Sequence, residues 1–167
     1  LVTGVQTCAL PICIIDYFSA TPPAAEKLAA YEILNREDAF VLPGLIDLHT
    51  HLPQYEFAGQ GAEALLPWLE KYTFPQESRF ADDNVAELQS LNFFQTCLAH
   101  GTTTVVAYLS SFSRAAEIAF AEAQRSGIRA YLGLTLMDRN VPDSLLTDQA
   151  RAEKQMLALI QKYHKKN

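Results

Sequence analysis

Along this 167-residue chain, segments with the hydrophobic pattern of a strand alternate with segments that have the pattern of a helix, and this alternation constrains the fold more than any other feature. Apolar, β-branched runs of strand type alternate with segments in which apolar residues recur at helical spacing. The strand-type runs cover residues 40–48, 102–109 and 128–137, and the helical segments cover residues 83–99, 113–126 and 147–163. Strands that alternate with helices along a chain form right-handed βαβ units around a parallel sheet. The sequence therefore predicts an α/β fold.

Start and stop signals delimit these helices. The first helix is predicted to begin at its N-cap Asp83 and to stop at Gly101. The second is predicted to begin at its N-cap Ser113 and to stop at Gly127, and the third to begin at Thr147. We expect the first helix to bury the face formed by Leu88, Leu91, Phe94 and Leu98. A short helix is also predicted over residues 24–34.

Residues 52–82 show no clear period and carry several glycines, prolines and aromatic residues. We expect a long connecting segment with one helical turn over residues 65–71, and long connections of this kind are often functional. Its aromatic residues either cover a flat ligand or form the core of the segment; they are Trp68, Tyr72, Phe74 and Phe80. We expect Lys71, Glu77 and Arg79 to be solvated or paired with each other.

The strand-type run at residues 40–48 leads directly into a pair of histidines. In a strand, alternate side chains point to the same face, so His49 and His51 leave it together, with Asp47 one step earlier on that face. The run is typical of a buried strand. Burying two neutral imidazoles without a hydrogen-bond or metal partner would cost free energy. A metal ion removes that cost, and Asp47 then acts as an outer group that supports the ligands. The sequence therefore predicts a metal site at the end of this strand.

A chain with this pattern can form either of two folds around a parallel sheet. One is an open doubly wound sheet and the other is a (β/α)8 barrel. No glycine-rich dinucleotide or P-loop motif follows the first strand. Metal-type residues lie at its carboxyl end instead, where a barrel keeps its active site. We therefore expect a partial barrel of about three βα units.

Charge and cysteine content restrict the partners and the compartment. The formal net charge of -6 and the pI near 5.1 give no basic field for nucleic acid or anionic lipid. The three cysteines form no CxxC motif and no even framework, which favours a reduced, cytoplasmic setting. No apolar run reaches the length of a membrane span. We expect neither a nucleic-acid partner nor a membrane partner.

The first twelve residues need an interpretation separate from the rest of the chain. Residues 2–12 resemble the conceptual translation of a common sequencing-library adapter, and the alternative is a genuine strand broken by Pro11. We expect residues 1–12 to be a non-native segment.

Motifs beyond the histidine pair resemble a known family. Residues 43–51, PGLIDLHTH, resemble the first-strand signature of the amidohydrolase superfamily. The motifs HLPQY, FAG, WLEKYTFP and RF at residues 51–55, 57–59, 68–75 and 79–80 resemble the guanine deaminases of that superfamily, as do GTTT at 101–104 and MDRN at 137–140. The resemblance covers residues 32–162 and identifies the chain as an amino-terminal fragment of such an enzyme.

The resemblance implies a fold, a cofactor and a reaction. Residues 13–40 would be the remnant of a small amino-terminal β domain, and residues 41–167 an incomplete barrel. One zinc ion would be held by His49 and His51 together with later residues, and Gln54 would hydrogen-bond the purine substrate. The expected reaction is the hydrolysis of guanine to xanthine and ammonia, in a homodimeric parent protein.

The family's remaining ligands, its proton-shuttling glutamate and its purine-binding arginine belong to later strands. We therefore expect no catalytic residue in the fragment and no activity from the fragment alone. Two alternatives stay open: an aminohydrolase of the same superfamily that acts on another purine, a pyrimidine or a triazine, and a non-catalytic fragment.

Overall fold

The computed structural model describes residues 3–9, 12–19, 21, 23–29, 39–40 and 42–164. They divide into two compact units, Leu1–Pro43 and Gly44–Asn167. In the first unit, strands β1 (Thr3–Ala9) and β2 (Ile12–Ser19) pair antiparallel, with a bulge between Val5 and Gln6, and a single-turn helix α1 (Ala25–Leu28) follows. Residues 30–34 of the predicted helix lie outside the described residues. The adapter origin of residues 2–12 and the three-part domain division stay predictions.

The second unit alternates strands and helices, as the hydrophobic periods predict. Its strands are β3 (Leu45–His51), β4 (Thr102–Tyr108) and β5 (Arg129–Gly133), which pair in parallel in the order β3-β4-β5. Its three long helices are α4 (Asp83–Ala99), α5 (Ser113–Ser126) and α6 (Gln149–Tyr163). The expected α/β class with a parallel sheet is confirmed.

Strand ends are set by pairing rather than by the length of the apolar runs. The ladder between β3 and β4 begins only where the Leu45 N–H donates to the Gly101 carbonyl at 2.8 Å, so β3 starts five residues later than predicted. β5 ends at Gly133, opposite Tyr108, because its partner strand ends there. The predicted strands at residues 40–48 and 128–137 were therefore misplaced or too long.

The connection at residues 52–82 was predicted wrongly as a largely irregular segment. It begins with a 3₁₀ helix, Leu52–Phe57, which we call the 52–57 turn. Helix α2 (Leu65–Trp68), a π-helical turn (Leu69–Thr73) and helix α3 (Phe74–Arg79) then follow one another without a break. The side chains of Leu52 and Pro53 are fully buried, so the turn is part of the core.

Helix caps differ from the predicted ones by a single residue. The Asp82 carboxylate, and not that of Asp83, accepts from the Asn84 N–H at 2.8 Å and caps α4. Asp148 caps α6 through the Arg151 N–H at 2.8 Å, and the predicted Ser113 cap makes no such bond. The glycine stops are confirmed, since Gly101 and Gly127 adopt the left-handed φ values of 85° and 74°.

Helices α4 and α5 pack against each other and against the sheet. The alanines of α5 are buried and allow the close approach that their small size predicts; they are Ala115, Ala116, Ala119 and Ala123. The expected face of α4 is only partly right, because Phe94 is buried and Leu98 half-buried but Leu88 and Leu91 are exposed. The buried residues of the helix are Ala86, Gln89, Ser90, Phe93 and Phe94. Apolar residues of α4 lie on all of its sides, so their spacing in the sequence does not identify which face is buried.

Strand β3 also departs from expectation, because it is not buried. Leu45, Ile46 and Leu48 are 61%, 64% and 72% exposed, on both faces of the strand. Within the described chain, β3 is an edge strand whose ladder partner is β4. Its apolar composition fits a strand covered on both faces, and the described residues supply no such cover.

Candidate functional site

The two histidines lie together at the carboxyl end of β3. Their ring centroids are 5.2 Å apart and their planes make an angle of 71°. This proximity follows from strand alternation, which places His49 and His51 on one face. The geometry matches the arrangement that the sequence predicts, while their role as metal ligands stays a prediction.

A third ring completes this cluster. His51 pairs with Tyr108 across the parallel ladder, and the Tyr108 ring stacks on the His51 imidazole at 4.8 Å. The Tyr108 ring also lies 5.4 Å from His49, edge to face. Sequence reasoning missed Tyr108, although the carboxyl ends of neighbouring parallel strands meet at one edge of a sheet.

Burial differs between the two imidazoles. His51 is half-buried, and its burial lowers the pKa of its imidazole, an effect that the nearby His49 strengthens by charge repulsion. The lowered pKa favours the neutral imidazole, which is the form that binds a metal ion. His49 is exposed, so the argument from the cost of burial holds for His51 only.

Asp47 contacts the backbone of the histidine strand. Its Oδ1 accepts a hydrogen bond from the His49 N–H at 3.0 Å, at the place where the register of β3 against β4 shifts between Asp47 and Thr50. Asp47 also affects Cys97 on α4: burial raises the pKa of that thiol, and the negative charge of Asp47 raises it further. A thiol with a raised pKa is a poor nucleophile, which suits a packing role for Cys97.

Gln54 lies in the 52–57 turn, three residues after His51, and is half-buried. The other two polar side chains of this turn, Tyr55 and Glu56, have hydrogen-bond partners on the neighbouring helices. The Gln54 amide has none within the described chain, so its donor and acceptor are available for a ligand.

The donor set fits part of a metal shell. Two neutral imidazoles suit zinc and other divalent transition ions. Among residues 42–164 and the shorter described stretches, no group of three or more His, Cys, Asp or Glu side chains is arranged to hold a metal ion. A metal ion at this pair would therefore need further ligands from outside the described residues.

Aromatic residues of the 52–82 connection divide between two environments. Phe80 is buried and belongs to the core. Trp68 and Tyr72 are half-buried and pack on Phe57, with centroid distances of 5.6 Å and 5.9 Å. The indole Nε1 of Trp68 donates to the Gln60 carbonyl at 2.8 Å.

Glu77 contradicts the expectation of a solvated or paired side chain. It is 2% exposed, and its Oε2 has no hydrogen-bond partner among the described residues. Burial raises the pKa of its carboxyl group to about 8. Arg79 and Lys71 do not pair with it: Arg79 bonds Glu56, and the Lys71 ammonium lies 5.0 Å from the Tyr72 ring centroid.

Within the described residues, no helix has both the length and the apolar character needed to cross a membrane.

Comparison with known proteins gives consistent matches. A model of the amidohydrolase family matches residues 40–167. The guanine deaminase of Escherichia coli K12 is 37% identical over 125 residues, which cover 75% of this chain and 28% of that protein. The guanine deaminase of Dictyostelium discoideum is 42% identical over 112 residues, which cover 66% of this chain and 25% of that protein.

A solved structure also resembles the chain. It is the crystal structure of guanine deaminase from C. acetobutylicum with guanine bound in the active site. It aligns with a TM-score of 0.84 and 31% sequence identity, and the alignment covers 93% of this chain and 38% of that chain. The chain thus spans less than a third of the length of the E. coli and Dictyostelium relatives. The expected partial barrel of amidohydrolase type is confirmed.

Proposed function

Because the chain belongs to the amidohydrolase family, we propose that it is part of a guanine deaminase, which hydrolyses guanine to xanthine and ammonia. The observation that carries the proposal is the likeness, at a TM-score of 0.84, to a guanine deaminase with guanine in its active site. The family model matches residues 40–167, which include the histidine pair and the 52–57 turn.

The family is typically metal-dependent, and we propose zinc as the ion here. His49 and His51 would hold it, because their rings lie on one face and burial favours the neutral form of His51. When bound, zinc lowers the pKa of a water to about 7 and so supplies a nucleophile at neutral pH. Tyr108 stacks on His51 and restrains the plane of that imidazole.

Gln54 is the proposed purine contact of this part of the protein. Its amide both donates and accepts, which suits a purine edge that presents both kinds of group. The absence of a partner for this amide within the described chain supports the role. A Gln54 that only ordered the turn would bond its neighbours, as Tyr55 and Glu56 do.

The proposal assigns the rest of the chemistry to other parts of the protein. The described residues supply two imidazoles and one amide, and the remaining metal ligands and the proton-shuttling glutamate would come from later strands. The parent protein is therefore proposed to be the active species, as a cytoplasmic homodimer that binds neither nucleic acid nor membrane.

The test is guanine turnover by the full-length protein whose gene encodes this chain. Purified protein is loaded with zinc, its metal content is measured by elemental analysis, and guanine is offered beside adenine, cytosine and an amino-triazine. We expect zinc together with xanthine and ammonia from guanine. Zinc with turnover of another substrate would favour a different aminohydrolase, and neither zinc nor turnover would favour a non-catalytic protein. Size-exclusion chromatography with light scattering and cell fractionation test the dimer and the compartment.

A further inference from the structure

The 52–57 turn is fixed at both of its ends. Leu52 and Pro53 are buried at the start. At the other end, the Phe57 ring stacks on Tyr72 at 5.9 Å and lies 5.6 Å from Trp68. Both ends therefore pack against other parts of the unit.

The middle of the turn is tied to two helices by hydrogen bonds. The Tyr55 hydroxyl lies 2.8 Å from the Thr96 Oγ1 of α4, and the Tyr55 ring packs edge to face on Phe93. These contacts hold one side of the turn against α4.

Glu56 makes the larger set of bonds. Its Oε2 accepts from the Gln76 Nε2 at 2.9 Å and from Arg79 on α3, and its Oε1 accepts from Gln89 on α4. Arg79 in turn donates to the Gln76 Oε1 at 2.7 Å, so the donors are themselves connected. One carboxylate thus joins the turn to two helices.

A carboxylate suits this position better than an amide. Both of its oxygens accept, whereas a glutamine would place an NH₂ group against at least one of the donors. Burial raises the pKa of Glu56, but the hydrogen bonds from Arg79, Gln76 and Gln89 and the charge of Arg79 lower it by more. The group is therefore ionised at neutral pH, and its bonds are charge-assisted.

Gln54 lies between these anchored residues and has no partner of its own among the described residues. An amide that is free to bond, on a backbone that is already held in place, binds a ligand without the entropic cost of ordering that backbone. We propose that Glu56 is a positioning residue, which fixes the 52–57 turn to α3 and α4 and so holds the Gln54 amide in place for the purine. The inference rests on the proposed function, and no part of it requires Glu56 to touch the substrate.

The test is a double-mutant cycle on the full-length protein, with guanine KM and kcat measured for Gln54→Ala, Glu56→Ala and the double variant. One lost hydrogen bond corresponds to a roughly 2- to 10-fold rise in KM. We expect each single variant to raise KM by that factor with kcat changed less than about twofold. The double variant should match Gln54→Ala, because Glu56 acts only through Gln54.

Glu63→Ala is the matched control, since Glu63 is exposed and has no partner among the described residues; we expect no change in KM. Hydrogen exchange over residues 52–57 supplies a second readout, which Glu56→Ala should speed about 10-fold and Glu63→Ala should leave unchanged. If Glu56→Ala does not fold, Glu56→Gln keeps the shape of the side chain and should show the same effects to a smaller degree.

Unchanged KM in Glu56→Ala, or effects of the two substitutions that simply multiply, would overturn the inference while leaving guanine deamination intact. If the unaltered protein does not turn over guanine, the proposed function fails and the inference falls with it. In that case, faster exchange in Glu56→Ala would still identify Glu56 as the anchor of the turn, so the two failures are distinguishable.

Discussion

Glu77 makes the stability of this protein depend on pH in an unusual direction. Its carboxyl group is buried without a partner for Oε2 among the described residues, and its pKa rises from the ordinary 4.5 to about 8. Between these two pH values the unfolded chain ionises this group and the folded chain does not. The unfolded state therefore binds fewer protons, and the free energy of unfolding falls as the pH rises from about 4.5 to about 8.

The magnitude follows from the two pKa values. Linkage gives a loss of about 2.5 kcal/mol between pH 5 and pH 7, on the scale of 1.36 kcal/mol per pH unit. Glu77→Gln keeps the size of the side chain and removes the ionisation. We expect this variant to be more stable than the unaltered chain by about 3 kcal/mol at pH 7 and by about 1 kcal/mol at pH 5.

Urea unfolding of the 167-residue chain at pH 5, 6, 7 and 8 measures this difference, with Glu70→Gln as the control. Glu70 is exposed in the same region of the chain, so its substitution controls for the loss of one surface carboxylate. A stability difference for Glu77→Gln that does not change with pH would show that folding does not raise the pKa of Glu77, and a loss of stability at pH 7 would show that the folded chain stabilises the carboxylate. The reasoning from burial would then be wrong.

Three further substitutions or measurements follow from the structure. In Gly44→Ala the added Cβ would lie 2.7 Å from the Cβ of Thr103 and closer still to its Oγ1, so we expect a loss of about 1–3 kcal/mol in urea unfolding. Gly61→Ala, which meets no atom within 4 Å, should change stability little, and equal effects of the two would contradict the steric argument. The isolated chain should produce no measurable xanthine from guanine after zinc loading, because it supplies only part of a site, and xanthine formation would refute this. Zinc binding to the full-length protein, followed by elemental analysis after dialysis, should be lost in His49→Ala and kept in His164→Ala, and equal zinc in both variants would rule out the strand pair as ligands.

Local patterns predicted the elements of the second unit because each carries its own signal. The β-branched run that became β4 and the alanine-rich helix that ends at Gly127 follow from residues close in sequence. The pairing of His49 with His51 follows equally from strand alternation. These features need no knowledge of distant contacts.

The failures concern contacts between residues far apart in sequence. Gln89 is a polar residue on the buried face of α4 because Glu56, 33 residues earlier, accepts its hydrogen bond. Leu88 beside it is exposed, although its hydrophobicity predicts burial. Tyr108 joins the histidines only through the register of β3 against β4. No period in the sequence encodes these partners.

The packing of Trp68 on Phe57 gives the protein an internal optical reporter. The chain contains one tryptophan, so its fluorescence comes from a single place. That indole lies 5.6 Å from the last residue of the 52–57 turn and donates a 2.8 Å hydrogen bond to Gln60. Emission intensity and wavelength of the 167-residue chain therefore report whether the turn stays packed against Trp68, without any attached dye.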